Sequence, residues 1–121
     1  MKLNHIDLQV PDVQCTATFF EHFFDFEHTS NRASPAIAIL TDREGLVLVL
    51  QRLKSPTEKY PEGFHIGFLV VDESTVLGFQ ERARAEGLEV SDVIRNNRGT
   101  MVYCKAPGEL LVEVNASPRA R

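Results

Sequence analysis

Two stretches of alternating apolar and polar residues begin with the same two residues, one near the start of the chain and one near its middle. Residues 5–10 read His-Ile-Asp-Leu-Gln-Val, and residues 65–70 read His-Ile-Gly-Phe-Leu-Val. Alternation with a period of two predicts a β-strand in each case. A helical pattern follows each stretch, so the 121-residue chain reads as two copies of one module.

The first module predicts a strand, a helix and three further strands. Pro11 ends the opening strand, and Asp12 is a candidate N-cap for a helix over about residues 13–24, where apolar side chains recur at helical spacing. The remaining strands of this module are predicted at residues 27–30, 36–40 and 46–51.

The second module repeats this order after residues 54–63, a polar stretch with two prolines that predicts a linker. Asp72 or Ser74 can cap a helix that runs to about Glu86, and Gly87 fits the position that ends it. The strands are predicted at residues 64–71, 88–94, 101–105 and 110–115, with a frayed tail at 116–121.

These patterns predict an α+β fold built from two βαβββ modules. Side by side, the modules would form a half-open, eight-stranded, barrel-like sheet with the helices on its outer face and a concave inner face. We expect one domain over residues 1–121, with repeat halves at about 1–53 and 64–116, because neither half alone closes a core well.

Composition narrows the classes of function. The hydrophobic fraction of 43% and the charged fraction of 25% are those of a globular protein, and the net charge of −4 argues against nucleic acid or an acidic membrane as partner. No apolar run approaches a membrane span, and the chain opens directly on a strand pattern, so no signal peptide is expected. Cys15 and Cys104 have no metal-binding spacing and are interpreted as reduced thiols of a cytoplasmic protein.

The strand faces point to a metal site. If the alternate apolar residues of the opening strands pack under the helices, His5 and His65 lie on the inner face. Glu113, between Val112 and Val114, also faces inward, where an unpaired charge is costly. Two imidazoles and one carboxylate suit divalent Fe, Mn, Ni, Co or Zn, with coordination positions left open for water and substrate.

The same residues carry a resemblance over essentially the whole chain. The segments that match are Leu3-Asn4-His5-Ile6, Pro11-Asp12, Phe64-His65-Ile66-Gly67-Phe68 and Ala106-Pro107-Gly108-Glu109-Leu110-Leu111-Val112-Glu113. They resemble the vicinal oxygen chelate superfamily of glyoxalase I, bleomycin-resistance proteins, fosfomycin-resistance enzymes and extradiol dioxygenases. The resemblance implies paired βαβββ modules, a homodimer, and a metal held by His5, His65 and Glu113.

The chain departs from the glyoxalase I pattern at a fourth ligand, a second glutamate on the fourth strand. That strand reads Leu-Val-Leu-Val-Leu-Gln over residues 46–51. Aligning the turns of the two modules sets Val49 opposite Glu113, whereas aligning the ends of the sequences sets Gln51 there. Gln51 could coordinate weakly through its carbonyl oxygen and Val49 cannot, so the pattern is closer to the three-ligand dioxygenase and fosfomycin-resistance branches.

The leading hypothesis is a metal-dependent enzyme, of lyase, transferase or dioxygenase type, that acts on a small oxygen-rich substrate. The alternatives are a metal-free small-molecule binder of the bleomycin-resistance kind and a dimerising protein with a vestigial site. No general base is assigned. Asp7 and Gln9 share the face of His5 and are either polar contacts to the substrate or solvated strand residues, and Tyr103 is either a hydrogen-bond donor in the cavity or a packing residue.

Overall fold

The computed structural model describes residues 1–118, and the chain divides into two compact units. The first unit, module 1, is Met1–Lys59, and the second, module 2, begins at Tyr60. The boundary lies inside the stretch 54–63 that the sequence marks as a linker. Of the predicted tail at 116–121, residues 119–121 lie outside the described part of the chain.

Module 1 has the strand-helix-three-strand order. Its elements are β1 (His5–Val10), α1 (Val13–Phe24), β2 (Glu27–His28), β3 (Ile37–Thr41) and β4 (Val47–Arg52). The sheet order is β1-β4-β3-β2, in which β1 and β4 run parallel and the other pairs are antiparallel.

Module 2 repeats the arrangement. Its elements are β5 (His65–Leu69), α2 (Glu73–Ala85), β6 (Ile94–Asn96), β7 (Gly99–Lys105) and β8 (Leu111–Ala116), with a 3₁₀ turn at Pro107–Glu109. The sheet order is β5-β8-β7-β6, and again the first and last strands of the module are parallel neighbours. The α+β class and the two βαβββ modules predicted from the sequence are confirmed.

Both helices begin where the sequence supplies a capping carboxylate. The side chain of Asp12 accepts a hydrogen bond from the backbone N–H of Cys15 at 3.0 Å. Asp72, rather than Ser74, caps α2, because its carboxylate accepts from the backbone N–H of Thr75 at 2.9 Å. A carboxylate at this position satisfies a donor that the helix leaves free and complements the helix dipole.

Each helix covers one face of its own sheet. In module 1, α1 contacts β3 and β4, and Phe20 is fully buried among the apolar residues of those strands. In module 2, α2 contacts β7 and β8 through Val76, Phe79 and Ala83, all buried. Burial of each large apolar side chain stabilises the fold by about 1.5–3 kcal/mol. The opposite face of each sheet, called here the open face of that module, carries the polar residues of interest.

The strand predicted at residues 88–94 is wrong in its position, since β6 begins only at Ile94. Val90 forms an isolated bridge with Cys104, after which the ladder stops. Side chains replace the missing strand partners: the hydroxyl of Ser91 accepts from the backbone N–H of Tyr103 at 3.0 Å, and Gln80 donates to the Ser91 carbonyl at 2.9 Å. These side-chain bonds satisfy the backbone groups that a strand would have paired.

Among residues 1–118, no helix has the length and apolar character that crossing a membrane requires.

Candidate functional site

The open face of module 2 brings three candidate side chains onto neighbouring strands. The parallel register of β5 and β8 pairs His65 with Leu111 and Gly67 with Glu113. On the other side of β8, the antiparallel register pairs Glu113 with Tyr103 of β7. Because residues two apart on a strand share a face, His65, Glu113 and Tyr103 all project from the same surface.

One hydrogen bond fixes the state of the His65 ring. Its Nδ1 lies 2.8 Å from the backbone carbonyl oxygen of Gly63. A carbonyl oxygen only accepts, so Nδ1 is the donor in this bond, which leaves Nε2 as the ring nitrogen that can face a metal ion. Histidine ligands of metals are commonly held in this way, with the second ring nitrogen donating to a carbonyl.

The other ring nitrogen of His65, Nε2, lies near a carboxylate. This nitrogen lies 3.8 Å from Oε1 of Glu113, whose side chain is only 14% exposed. Two donor atoms, each about 2.1 Å from a shared divalent ion, are separated by at most about 4.2 Å. The separation of the two atoms therefore lies within the range that a common metal ion spans, and a nitrogen with a carboxylate oxygen is a donor pair that such ions bind.

Tyr103 is the third member of this group. Its hydroxyl donates a hydrogen bond to Oε1 of Glu113, and its ring stands edge-on to that of His65 with centroids 5.5 Å apart. The hydrogen bond to the carboxylate, together with burial and the charge of Glu113, raises the pKa of Tyr103, while Arg98 opposes the rise. Tyr103 is consequently protonated near neutral pH and acts here as a hydrogen-bond donor.

The open face of module 1 settles which residue of β4 corresponds to Glu113. In module 2 the parallel strands pair Gly67 with Glu113, and in module 1 they pair Asp7 with Val49. Val49 therefore occupies the position of Glu113, as alignment of the turns predicts. Gln51 lies two residues further along β4, and its amide donates to Oδ2 of Asp7 at 2.6 Å.

His5, the third predicted ligand, begins β1 and is exposed on module 1. Within residues 1–118, no three histidine, cysteine, aspartate or glutamate side chains form a cluster suited to a metal ion. The structure brings His65 together with Glu113 inside module 2. The full ligand set of His5, His65 and Glu113, with Gln51 as a possible fourth ligand, stays a prediction.

Two contacts of these faces were not predicted from the sequence, although both follow from strand pairing. The bond from Tyr103 to Glu113 and the bond from Gln51 to Asp7 each cross between neighbouring strands. The signal that could have found them is the module order itself. In a βαβββ unit a helical crossover joins parallel strands, so pairing of the first strand with the fourth sets Asp7 beside β4.

Comparison with known proteins places this geometry in a family. The model of the glyoxalase/bleomycin resistance protein/dioxygenase superfamily matches residues 2–114. A possible glyoxalase from Bacillus cereus is 29% identical, with a TM-score of 0.85 over 96% of this chain and 99% of that one. Comparison with the curated proteins finds no match.

Two more distant structures share the fold. A Listeria monocytogenes fosfomycin resistance protein, the E126Q mutant of FosX with Mn(II) and 1S,2S-dihydroxypropylphosphonic acid, is 24% identical with a TM-score of 0.79 over 99% of this chain and 94% of that one. Lactoylglutathione lyase from Agrobacterium tumefaciens is 18% identical with a TM-score of 0.74 over 95% and 92% of the two chains. Since the family model covers nearly all of the chain, the protein belongs to the glyoxalase/bleomycin resistance protein/dioxygenase superfamily.

Proposed function

We propose that this protein is a divalent-metal-dependent enzyme that acts on a small oxygen-rich substrate by lyase, transferase or dioxygenase chemistry. The observation that carries the proposal is the group of His65, Glu113 and Tyr103 on the open face of module 2. The ring of His65 is held by a backbone carbonyl with its Nε2 directed at a carboxylate, which is the arrangement of a prepared metal ligand.

His65 and Glu113 would hold the metal, and His5 of module 1 would complete a set of two imidazoles and one carboxylate. A metal bound in this way supplies a Lewis acid that polarises substrate oxygens and stabilises a developing negative charge. The chain's own groups orient and bind. Tyr103, kept protonated beside Glu113, donates its one hydroxyl hydrogen to the carboxylate and so holds Glu113 in place.

A second candidate function is metal-free binding of a small molecule, as in the bleomycin-resistance branch. The observation that favours it is that Glu113 already accepts a hydrogen bond from Tyr103, so the carboxylate has a partner without any metal. Buried polar groups require such partners whether or not they have a catalytic role. Metal binding therefore decides between the two candidates.

The test is Mn(II) binding to the full chain, purified without a histidine tag and stripped of metal. Mn(II) is the first ion to use because the related Listeria FosX structure contains it, and Fe(II), Co, Ni and Zn follow. We expect about one ion per chain. Replacing a metal ligand removes most of the binding energy, so His65→Ala and Glu113→Gln should each weaken Mn(II) binding by roughly 100-fold or more.

A matched control is His22→Ala, which removes a histidine from α1 rather than from either open face. This variant should bind Mn(II) like the unaltered protein. If the unaltered protein binds none of the five ions, the enzyme proposal fails and the metal-free binder takes its place. Light scattering on the same samples tests the homodimer that we propose on the basis of the family.

A further inference from the structure

We infer that Asp7 is the carboxylate of module 1 that corresponds in role to Glu113 of module 2, displaced onto the neighbouring strand, and that it binds the metal ion or its coordinated oxygens beside His5. This inference rests on the metal-dependent function proposed above. It assigns a residue that the family resemblance leaves unassigned, since the expected fourth-strand glutamate is absent.

At one pair of neighbouring positions on the parallel strands, the two modules carry the carboxylate on opposite strands. In module 2 this pair is Gly67 on the first strand and Glu113 on the fourth, and in module 1 it is Asp7 on the first strand and Val49 on the fourth. Each pair holds one carboxylate and one residue that cannot coordinate. Neighbouring strands are about 4.8 Å apart, so the carboxylate moves sideways by one strand while staying on the same face.

The residue paired with each carboxylate is small or apolar. A Cβ on Gly67 would lie 3.6 Å from Oε2 of Glu113 and 3.8 Å from its Cβ, in ordinary van der Waals contact, so position 67 lies directly beside the carboxylate. In module 1 the small apolar side chain is on β4 instead, at Val49, and the carboxylate is on β1. Each module therefore carries one carboxylate at this pair, on opposite strands.

The carboxylate of Asp7 is oriented by two hydrogen bonds, as the carboxylates of metal sites commonly are. Gln51 of β4 donates to Oδ2 at 2.6 Å, and Gln9 of β1 donates to Oδ1 at 2.7 Å. Each carboxylate oxygen has two acceptor positions, so both oxygens keep one position for a metal ion or a bound water. Carboxylates that ligate metals are commonly fixed by such secondary hydrogen bonds.

The two side chains that donate to Asp7 are neutral amides, so these hydrogen bonds do not neutralise its charge. His5 is two residues away on the same strand and faces the same side. An aspartate and a histidine on the same face of one strand offer the donor types that divalent ions bind, as do His65 and Glu113.

The experiment measures the Mn(II) dissociation constant of the full chain by calorimetry for the unaltered protein, Asp7→Asn and Glu44→Gln. Glu44 lies in the turn between β3 and β4, so its variant changes the net charge equally but away from the open face. We expect Asp7→Asn to weaken binding at least 10-fold and Glu44→Gln to change it less than twofold.

A double variant tests the exchange directly. Asp7→Gly with Val49→Glu gives module 1 the arrangement of module 2 at this pair, and we expect it to bind Mn(II) within about threefold of the unaltered protein. Thermal unfolding of every variant in the absence of metal shows which of them are folded, and only folded variants enter the comparison. Gln51→Leu removes one of the two hydrogen bonds to Asp7 but retains the carboxylate. This variant should weaken Mn(II) binding by several-fold.

The outcomes separate this inference from the proposal beneath it. If the unaltered protein binds Mn(II) and Asp7→Asn binds it equally well, Asp7 is a solvated strand residue and the inference fails while the proposed function stands. If the unaltered protein binds no ion, both fail. Loss in Asp7→Asn with recovery in the double variant supports the inference.

Discussion

At the scale of single residues, chemistry here is decided by what each side chain touches rather than by its type. His65 and His5 are both strand histidines, yet only the ring of His65 has its protonated nitrogen fixed by a backbone carbonyl. The same rule separates the two thiols. Cys104 is fully buried, and this burial raises its pKa to about 11, whereas Cys15 is exposed on α1.

We expect the two thiols to differ sharply in reactivity, because the thiolate is the reacting species and burial removes both the thiolate and the access to it. One equivalent of a thiol-specific disulfide reagent should react quickly with the native protein, and the second only after denaturation. Cys15→Ser should abolish the fast reaction. Rapid reaction of two thiols in the native state would contradict the buried position of Cys104.

Gly99 permits a second prediction at this scale. Its φ is +133°, and a Cβ there would lie 2.5 Å from Oδ1 of Asn115 and 2.6 Å from the carbonyl oxygen of Ala116. Gly99→Ala must therefore displace backbone, and we expect a loss of about 2–3 kcal/mol in the free energy of unfolding. Gly78→Ala, in α2 with open space around it, is the matched control and should be neutral or slightly stabilising in the same denaturant titration.

At the scale of elements, helix ends and loops are tied together by charged side chains. The guanidinium of Arg32, in the loop after β2, donates to both carboxylate oxygens of Glu21 on α1, at 2.9 and 2.7 Å. The hydrogen bond from Arg32, together with its charge, lowers the pKa of Glu21 below its ordinary value. This pair links the loop 29–36 to the helix, as Gln14 also does by donating to the carbonyl of Ser34 at 2.7 Å.

The stability of that link should depend on pH. A carboxyl group whose pKa is lowered on folding contributes stability above its unfolded pKa, about 4.3, and this contribution is lost as the pH falls through the folded pKa. Arg32→Gln should lower the free energy of unfolding only slightly at pH 7, because the pair is largely at the surface, and the loss should shrink as the pH falls toward 3.

Urea unfolding of both proteins across this pH range is the measurement. Arg43→Gln, which breaks a more exposed single contact to Asp25 at 2.7 Å, is the control and should cost less at pH 7. A deficit of Arg32→Gln that stays constant from pH 7 to pH 3 would show that the loss has another cause.

Most elements could be predicted from the sequence because their signals are local. Asp12 and Asp72 mark the helix starts, and strand alternation marks the opening strands. The misplaced strand at 88–94 has a non-local cause, since Gln80 of α2 and the hydroxyl of Ser91 take over the pairing there. The contact between Gln51 and Asp7 was equally out of reach of periodicity, because it depends on which strand lies beside β1.

At the scale of the whole molecule, the two modules have the same order of elements but carry their carboxylates on different strands. The register of the parallel strands is the same in both, while the carboxylate is carried by β1 in module 1 and by β8 in module 2. The same backbone plan therefore presents different side chains at this pair in the two modules. The two modules thus repeat the same elements but differ in the side chains on their open faces.

Metal binding should be visible in the stability of the whole chain. A ligand that binds only the folded state stabilises it by about 2.7 kcal/mol at a free concentration 100 times its dissociation constant. We therefore expect Mn(II) to raise the unfolding temperature of the unaltered protein by several degrees, and a chelator to reverse the rise. Glu113→Gln should show little of this shift, and an equal rise in that variant would place the bound ion elsewhere.

The bond between the His65 ring and the Gly63 carbonyl has a consequence for how the loop ahead of β5 tolerates change in length. Pro61 to Phe64 forms a tight turn, closed by the Phe64 N–H and the Pro61 carbonyl oxygen at 3.1 Å. Residues inserted before Pro61 would lengthen the linker without altering this turn. One residue inserted after it would exchange the faces of β5 or leave the ring without its carbonyl partner. The loop ahead of β5 should therefore tolerate changes in length before Pro61 but not between Pro61 and His65.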